Sequence, residues 1–321
     1  MLEFDWQALA HELPELQINS VDPELAQAWR EFYQIDFGQR SPDLDCRLGS
    51  VEVAGYRVAV QVCRPEQAVA TLIVLHGYYD HMGLYGHVYD WALQQGFAVL
   101  SCDLPGHGLS SGARASIDSF QEYQLVLQAL LSKAQQLHLP QPWHLLGQST
   151  GGAIAVDYVL TQQPVSQLGE IILLAPLVRP RAWRQSQLLY QLVRPFRASV
   201  PRRYSNNSHD AQFVEFVRHD PLQARILPTA WVGALAQWIA YIEQAQPSAR
   251  SPIIVQGAAD QTVDWQYNLN VLRAKFSEPR VLLLPHARHH LANEQQALRS
   301  DYFNYLSEQL SNTEQLLLPA S

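Results

Sequence analysis

Leu145-Leu146-Gly147-Gln148-Ser149-Thr150-Gly151-Gly152 is the stretch that organises this chain. It carries the pattern G-x-S-x-G between an apolar run over residues 143–146 and a second over 153–160. A strand, a one-residue turn and a helix are what a nucleophile elbow requires, with the serine at the tip in a strained backbone and its hydroxyl pushed outward. Gly147 and Gly151 flank it because a Cβ at either would collide across so sharp a turn. A plain glycine–serine linker satisfies the same five letters, so it is the strand–turn–helix context that makes Ser149 a candidate nucleophile.

Outward from this stretch, short apolar runs alternate with helical patterns. Residues 71–75 read as a buried strand, 85–95 as a helix closed by Gly96, 97–102 as a strand and 119–137 as a long helix. Residues 143–146 are a strand, 150–162 a helix and 170–174 a strand. Such alternation predicts an α/β fold built on a mostly parallel, doubly wound sheet. It stops at Pro176. Residues 177–247 carry helical patterns, arginine and tryptophan, and no strand candidate. Alternation resumes with strand 252–256, helix 265–276, strand 280–284 and helix 294–310. An all-helical insert between two strands of one sheet predicts a cap over the site. Ahead of the sheet, residues 51–53 and 56–62 flank Ala54-Gly55 and read as a hairpin. Residues 1–35 read as helices, with Trp6, Leu9 and Leu13 on one stripe and Leu25, Ala28, Trp29 and Phe32 on another. The expected organisation is a helical N-terminal extension over residues 1–45, a sheet core over 46–176 and 248–321, and a helical cap over 177–247.

The chain has 321 residues and is 47% hydrophobic, enough for one large core. Its formal net charge of −8 argues against nucleic acid as a partner. That charge is uneven. Residues 1–45 hold ten carboxylates and two arginines, whereas 177–205 hold seven arginines and no carboxylate. Cys46, Cys63 and Cys102 are odd in number and scattered, so they are expected to be buried small residues rather than disulfide partners or zinc ligands. The N-terminus lacks a basic segment followed by an apolar one, and no apolar run reaches about 18 residues. With the cysteine reading, these features predict a cytoplasmic protein.

In a sheet that bears such an elbow, the acid and then the histidine follow the serine in chain order. Both must lie at carboxyl ends of strands, where ligands bind in open parallel sheets. Strand 252–256 runs into Gly257-Ala258-Ala259-Asp260, and strand 280–284 into Pro285-His286-Ala287-Arg288-His289-His290. Asp260 is the candidate acid, because Asp264 reads better as the N-cap of helix 265–276. His286, His289 and His290 are not separable by these arguments. Asn293-Glu294-Gln295-Gln296 reads as an N-cap with its helix start. The chemistry needs all three residue types: a serine hydroxyl is unreactive until an imidazole takes its proton, and a carboxylate orients that imidazole. The loop His76-Gly77-Tyr78-Tyr79-Asp80-His81 follows strand 71–75, and the backbone N–H groups of Tyr78 and Thr150 are the candidate oxyanion donors. His76 is expected to bond backbone in this turn and His81 to order the next helix. No metal is expected, because no histidine–carboxylate set has ligand spacing. Residues 103–112, His107 included, read as a structural glycine–proline loop.

These residues together resemble the serine α/β-hydrolases of the monoacylglycerol lipase and lysophospholipase branch. The matching segments are His76-Gly77 with Asp80-His81-Met82-Gly83-Leu84-Tyr85; Asp103 with Gly106-His107-Gly108-Leu109-Ser110-Ser111-Gly112; Gly147-Gln148-Ser149-Thr150-Gly151-Gly152; Asp220-Pro221-Leu222; Gly257-Ala258-Ala259-Asp260; and Ala287-Arg288-His289-His290-Leu291-Ala292-Asn293-Glu294. They run in order over residues 50–312. The resemblance implies an α/β-hydrolase fold and a triad of Ser149, Asp260 and His289, since the family's histidine follows an Ala-Arg-like pair. Two departures stand out. The oxyanion turn carries Tyr78 and Tyr79 where relatives often have smaller residues, which would narrow or cover the acyl slot. The acidic extension is not part of the family's common core.

The expected function is hydrolysis of carboxylic esters, of monoacylglycerol- or lysophospholipid-like amphiphiles or short acyl esters, through an acyl-enzyme and without a cofactor. An amidase or aminopeptidase using the same triad is the enzymatic alternative, although a free α-amine would need a carboxylate and 177–205 has none. A non-catalytic ligand-binding protein on this scaffold is the alternative of another class. Dehalogenase and epoxide hydrolase chemistry would need Asp at position 149. In the cap, Trp183, Leu188, Leu189, Leu192, Val193 and Phe196 can form one apolar face, with Arg184, Arg194 and Arg197 interleaved. That face either packs on the core, its arginines solvated or paired with the acidic extension, or meets anionic lipid.

Overall fold

The computed structural model describes residues 4–41 and 43–317. Residues 1–3, in which the first helical stretch was expected to begin, lie outside the described residues. The extension holds α1 (Trp6–Glu12), α2 (Leu25–Phe32) and α3 (Phe37–Arg40). Strands β1 (Leu44–Val53) and β2 (Tyr56–Pro65) form the expected hairpin, with Ala54 and Gly55 both at positive φ, as a two-residue turn between twisted strands demands. The core continues through β3 (Ala70–Leu75), a 3-10 turn (Met82–Tyr85), α4 (Gly86–Gln94), β4 (Phe97–Cys102), α5 (Phe120–Gln136), β5 (Trp143–Gln148), α6 (Thr150–Thr161) and β6 (Leu168–Leu174). The cap holds α7 (Trp183–Val193), β7 (Ser199–Pro201), α8 (Ala211–His219), β8 (Ile226–Pro228) and α9 (Thr229–Gln244). Then follow β9 (Ile253–Gly257), α10 (Trp265–Lys275), β10 (Arg280–Leu284) and α11 (Gln296–Leu317).

Eight strands form one sheet in the order β1-β2-β4-β3-β5-β6-β9-β10. The β1–β2 and β2–β4 pairings are antiparallel and the rest parallel. Alternate residues of the central strands feed opposite layers, as a pleated strand buried on both faces requires. Ile73, Leu100, Leu145 and Leu173 pack towards α5 and α6, whereas Leu72, Val99, Leu146 and Ile172 pack towards α4 and the extension. From β3 the chain crosses to β4 on one side and returns to β5 on the other. The loops after β3 and β5 therefore meet at a topological switch point, where ligands bind in such sheets. The extension covers the exposed edge: Leu16 N donates to Ser50 O and Ser50 N to Pro14 O, and Leu9, Leu16, Ala26 and Trp29 are fully buried.

Two expectations are corrected here. Cys46 and Cys63 are joined by a disulfide. They are direct partners in the β1–β2 register, with Cα atoms 4.1 Å apart. The two are equally distant from the Ala54-Gly55 turn, so the hairpin that the sequence reveals also brings them together. The bond removes the cysteine argument for a reducing compartment. Cys102 is free and buried, as expected. Second, the cap contains the antiparallel pair β7–β8. Each strand is three residues long and ends in proline, too short for an alternation to register. Among the described residues, no helix is long and apolar enough to cross a membrane.

Candidate active site

Ser149 sits between the end of β5 and the start of α6 at φ 51°, ψ −110°. A non-glycine residue there stores strain on the order of 1–3 kcal/mol and persists only when its surroundings over-determine it. They do: Ser149 N donates to Leu174 O, and Ser149 O accepts from Ala153 N and Leu177 N. A Cβ on Gly147 would lie 2.3 Å from the Gly151 carbonyl carbon, and one on Gly151 would lie 2.1 Å from Leu75 O. Both positions therefore admit only glycine.

The loops after β9 and β10 bring two further side chains to this tip. His289 Nε2 lies 3.0 Å from Ser149 Oγ, and its Nδ1 lies 2.7 Å from Asp260 Oδ2. The bonding pattern assigns the proton to Nδ1, donated to Asp260, and leaves Nε2 to accept from the serine hydroxyl. All three side chains are buried. Asp260 also accepts from Thr262 N and Val263 N on Oδ1 and from Gln256 Nε2 on Oδ2. Burial opposes its charge, but His289 and these donors outweigh burial and hold the carboxyl below its ordinary range. For His289 burial opposes the cation, and the charge and hydrogen bond of Asp260 outweigh it, so its pKa is raised. Asp264 accepts from Tyr267 N as the N-cap of α10, as expected. Of the three histidines left open by order, His286 is exposed, and His290 turns its Nε2 to Asp80 Oδ2 at 3.1 Å.

The turn after β3 lies against the elbow: a Cβ on Gly77 would come within 3.5 Å of Ser149 Cβ. Gly77 N donates to Tyr85 Oη and Asp80 N to Gly77 O. The Tyr78 N–H between them has no partner among the described residues. Thr150 N occupies the first turn of α6, where helix geometry supplies no acceptor. His76 bonds backbone on both nitrogens, to Gly77 O and Leu104 N, as expected of a structural turn residue. His81 departs from expectation. It stands at the N-cap of the 3-10 turn, but its side chain makes no cap bond; instead its Nε2 pairs with Asp220 Oδ2 of the cap at 2.8 Å, and Tyr33 of the extension donates to Asp220 Oδ1 at 2.7 Å. Asn293 and Glu294 also depart, because α11 begins only at Gln296. Asn293 donates to Leu84 O, and the fully buried Glu294 accepts from Arg288 N and His209 N. Glu294 thus ties the His289 loop to the cap. Gln148 does the same to the elbow by accepting from Ala292 N at 2.9 Å.

Above Ser149 lies a cavity of about 190 Å³ walled in part by cap residues. Its wall includes Tyr78, Tyr79, Arg202, Arg203, Tyr204 and Arg218. Tyr78 stacks on Trp231 of α9 at 3.6 Å between ring centroids, so the two tyrosines of the turn bridge to the cap. The sequence marked Arg202 and Arg203 only as members of an arginine-rich stretch, and Arg218 not at all. Among the described residues, no group of three or more metal-type ligands comes together.

Known proteins match this architecture. The family model described as serine aminopeptidase, S33 (Hydrolase_4) matches residues 66–296. The phospholipase YtpA of Bacillus subtilis (strain 168) is 35% identical over 113 residues, which is 35% of this chain and 42% of that protein. The mouse monoglyceride lipase is 25% identical over 234 residues, 70% of this chain and 77% of that protein. A soluble variant of the Saccharomyces cerevisiae monoglyceride lipase, solved with a substrate analogue, superposes with a TM-score of 0.72 at 18% identity, covering 84% of this chain and 95% of that one. With the elbow, the mostly parallel sheet and the inserted cap in place, the chain belongs to the serine aminopeptidase S33 family and, within the α/β-hydrolases, to its monoacylglycerol lipase-like branch.

Proposed function

We propose that this protein is a serine hydrolase that cleaves carboxylic esters through an acyl-enzyme. The supporting observation is the Ser149–His289–Asp260 relay, with spacings of 3.0 and 2.7 Å, beneath a cavity. His289 Nε2 takes the hydroxyl proton as Ser149 Oγ attacks the ester carbonyl carbon. The carbonyl oxygen gains the displaced electron pair and is held by the N–H groups of Tyr78 and Thr150. The intermediate collapses, the C–O bond to the alcohol breaks, and His289 returns the proton to the leaving oxygen. Water, deprotonated by the same imidazole, then releases the acid. Asp260 keeps His289 in the required tautomer and stabilises its cation. No step needs a cofactor.

Esters are favoured over the α-amino amides that an aminopeptidase takes. An α-ammonium group needs a carboxylate, and the cavity wall offers three arginines against one aspartate, Asp80, which already faces His290 and accepts from Tyr85. The alternative, a non-catalytic binding protein on this scaffold, predicts an unreactive Ser149. A neutral fluorophosphonate probe separates the two: we expect stoichiometric labelling that disappears in Ser149→Ala. A folded protein that resists the probe and leaves p-nitrophenyl esters, monoacylglycerols and lysophospholipids uncleaved would end this reading.

The cap's outer face is the second part of the proposal. Leu188, Leu189, Leu192 and Phe196 are 60–85% exposed. The first three lie on α7, and Arg184, Arg194 and Arg197 flank them, all exposed. Carboxylates of the extension pair elsewhere, Asp22 with Arg30 and Glu15 with Lys133 of α5. An apolar stripe edged by cations fits the surface of an anionic bilayer. Sedimentation with vesicles of anionic lipid, and not with zwitterionic ones, is the expected result.

A further inference from the structure

Arg202 is the cap residue that stands out inside the cavity. Its guanidinium lies 4.0 Å from the Tyr79 ring centroid and 4.5 Å from that of Tyr204. Nη1 donates to Gln223 Oε1 at 2.5 Å and to Ala224 O at 3.2 Å. Gln223 and Ala224 are themselves buried, so the side chain is anchored before any ligand arrives. Among the described residues no carboxylate lies within ion-pair distance of Arg202. The other charges of the wall are already partnered or open to water. Asp80 faces His290 at 3.1 Å and accepts from Tyr85 at 3.0 Å. Arg218 is half-exposed and pairs with Glu215 at 3.5 Å. Arg203 is exposed.

A cation taken partly out of water needs a counter-charge, and two aromatic faces supply only part of it. Burial pushes the Arg202 pKa down, because water is withdrawn from its charge. A guanidinium is also the side chain whose fork fits the paired oxygens of carboxylate and phosphate. One of the two rings it stacks on belongs to the turn beside Ser149. Tyr79, on which it stacks, follows the oxyanion donor Tyr78 and adopts φ +73°. An anion bound by Arg202 would therefore be registered against the Ser149 tip through the same turn. The cavity's roughly 190 Å³ lies below the ~300–1,000 Å³ of sites that enclose a drug-sized ligand, so it holds a short segment of substrate rather than a full acyl chain.

We infer that Arg202 selects esters that carry an anionic group, carboxylate or phosphate, a few bonds from the scissile carbonyl. This rests on the serine-hydrolase reading above and names the substrate class of that site. The anion sits on the guanidinium between Tyr79 and Tyr204, and the ester carbonyl sits at Ser149. A neutral ester of the same length leaves the guanidinium without a counter-charge.

The test uses matched pairs on the full chain. One arm compares mono-p-nitrophenyl glutarate with p-nitrophenyl valerate. The other compares a short-chain 1-acylglycerol 3-phosphate with the monoacylglycerol of the same chain. We expect wild-type kcat/KM to favour the anionic member of at least one pair by about tenfold or more, the range of hydrogen bonds to charged groups. Arg202→Gln should lower that ratio by about tenfold, and Arg202→Lys should restore part of it. The arm that responds identifies carboxylate or phosphate. Should Arg202→Gln fail to fold, the wild-type ratio should still fall as salt rises, since added ions screen the contact. No anionic preference in either arm, a ratio indifferent to salt, or a ratio untouched by a folded Arg202→Gln would each overturn the inference. Fluorophosphonate labelling runs in parallel. Absence of labelling defeats the hydrolase reading itself, whereas normal labelling without anionic preference defeats this inference alone.

Discussion

The sheet core and the cap meet over one serine, and they are built to different standards. On the core side the side chains of the relay are engaged: His289 by Asp260, Asp260 by three further donors, and Gln148 beside the serine by Ala292. Leu145, Leu173 and Ile254 beneath them are fully buried. On the cap side α7 turns three leucines to solvent, and among the described residues Arg184, Arg194, Arg197 and Arg202 have no carboxylate within ion-pair distance. The difference teaches where each task resides. Chemistry requires atoms fixed within fractions of an ångström, which a sheet with two packed faces supplies. Choosing and reaching a substrate requires a surface that stays partly unsatisfied until the substrate arrives.

The sharpest way to break this division is to remove the core's contribution to the reaction. Ser149→Ala should lower kcat for a p-nitrophenyl ester by a factor on the order of 10⁴–10⁶. The fold should be unchanged, because the methyl group still fits the elbow. Near-native turnover by a folded variant would move the chemistry elsewhere. Asp260→Asn should follow at about 10⁴, through the wrong imidazole tautomer, while Asp264→Ala should remove only a helix cap worth about 1 kcal/mol. The pH profile gives the sign. A base must be neutral to act, and Asp260 raises the pKa of His289 above 6.5, so kcat/KM should fall on acidification with a midpoint above that value. A midpoint below 6.5 would show that burial, not Asp260, governs the imidazole.

The core was legible because its signals are periodic and ordered. The runs 97–102 and 280–284 coincide with the observed strands β4 and β10. Ser149 follows from the elbow pattern, Asp260 and the histidine loop from chain order and their place at strand ends, and the family's Ala-Arg pattern singles out His289. The cap was legible as an insert and little more. Its strands β7 and β8 are three residues long. Its ties to the core join residues far apart in sequence, such as His81 with Asp220 and His209 with Glu294, and no local pattern announces such contacts. Cys46 and Cys63 are the instructive middle case. The Ala54-Gly55 hairpin was read, but its register was not counted outward to the cysteines.

The tie between the two halves is the next place to press. His81 of the core, Asp220 of the cap and Tyr33 of the extension form one buried clasp, with both charged side chains fully inaccessible. For His81 burial opposes the cation, and Asp220 outweighs it and raises its pKa. For Asp220 burial opposes the charge, and His81 outweighs it and lowers the pKa. The stability His81 contributes is complete below its ordinary 6.5 and is lost as pH rises through its elevated value. That of Asp220 is complete above 3.8 and is lost as pH falls through its depressed value. The clasp is therefore strongest between those two ordinary values. Asp220→Asn should remove about 3–5 kcal/mol there, as breaking a buried pair does. Denaturant unfolding at pH 5.5 and at pH 9 checks this: the loss should be smaller at the higher pH. An equal loss at both would mean that Asp220 acts only as a hydrogen-bond acceptor.

The smallest expected effect is the one that separates the halves most cleanly. Leu173 in β6 is fully buried, whereas Leu189 and Leu192 on α7 are 60% and 63% exposed. Leu173→Ala should cost about 2–5 kcal/mol, because the packed sheet cannot collapse around the missing atoms. Leu189→Ser with Leu192→Ser should change stability by no more than about 0.5 kcal/mol per site, since neither side chain leaves an apolar environment. If α7 faces a bilayer, the same pair should lose vesicle binding while turnover of a water-soluble ester stays as it was. Each leucine withdrawn from the interface forfeits up to about 25 cal/mol for every Å² of apolar surface it had buried there. A large stability loss in the double variant would show that the leucines pack against protein after all. The cap would then be a second core, and the division between a rigid chemical half and an open recognition half would fail.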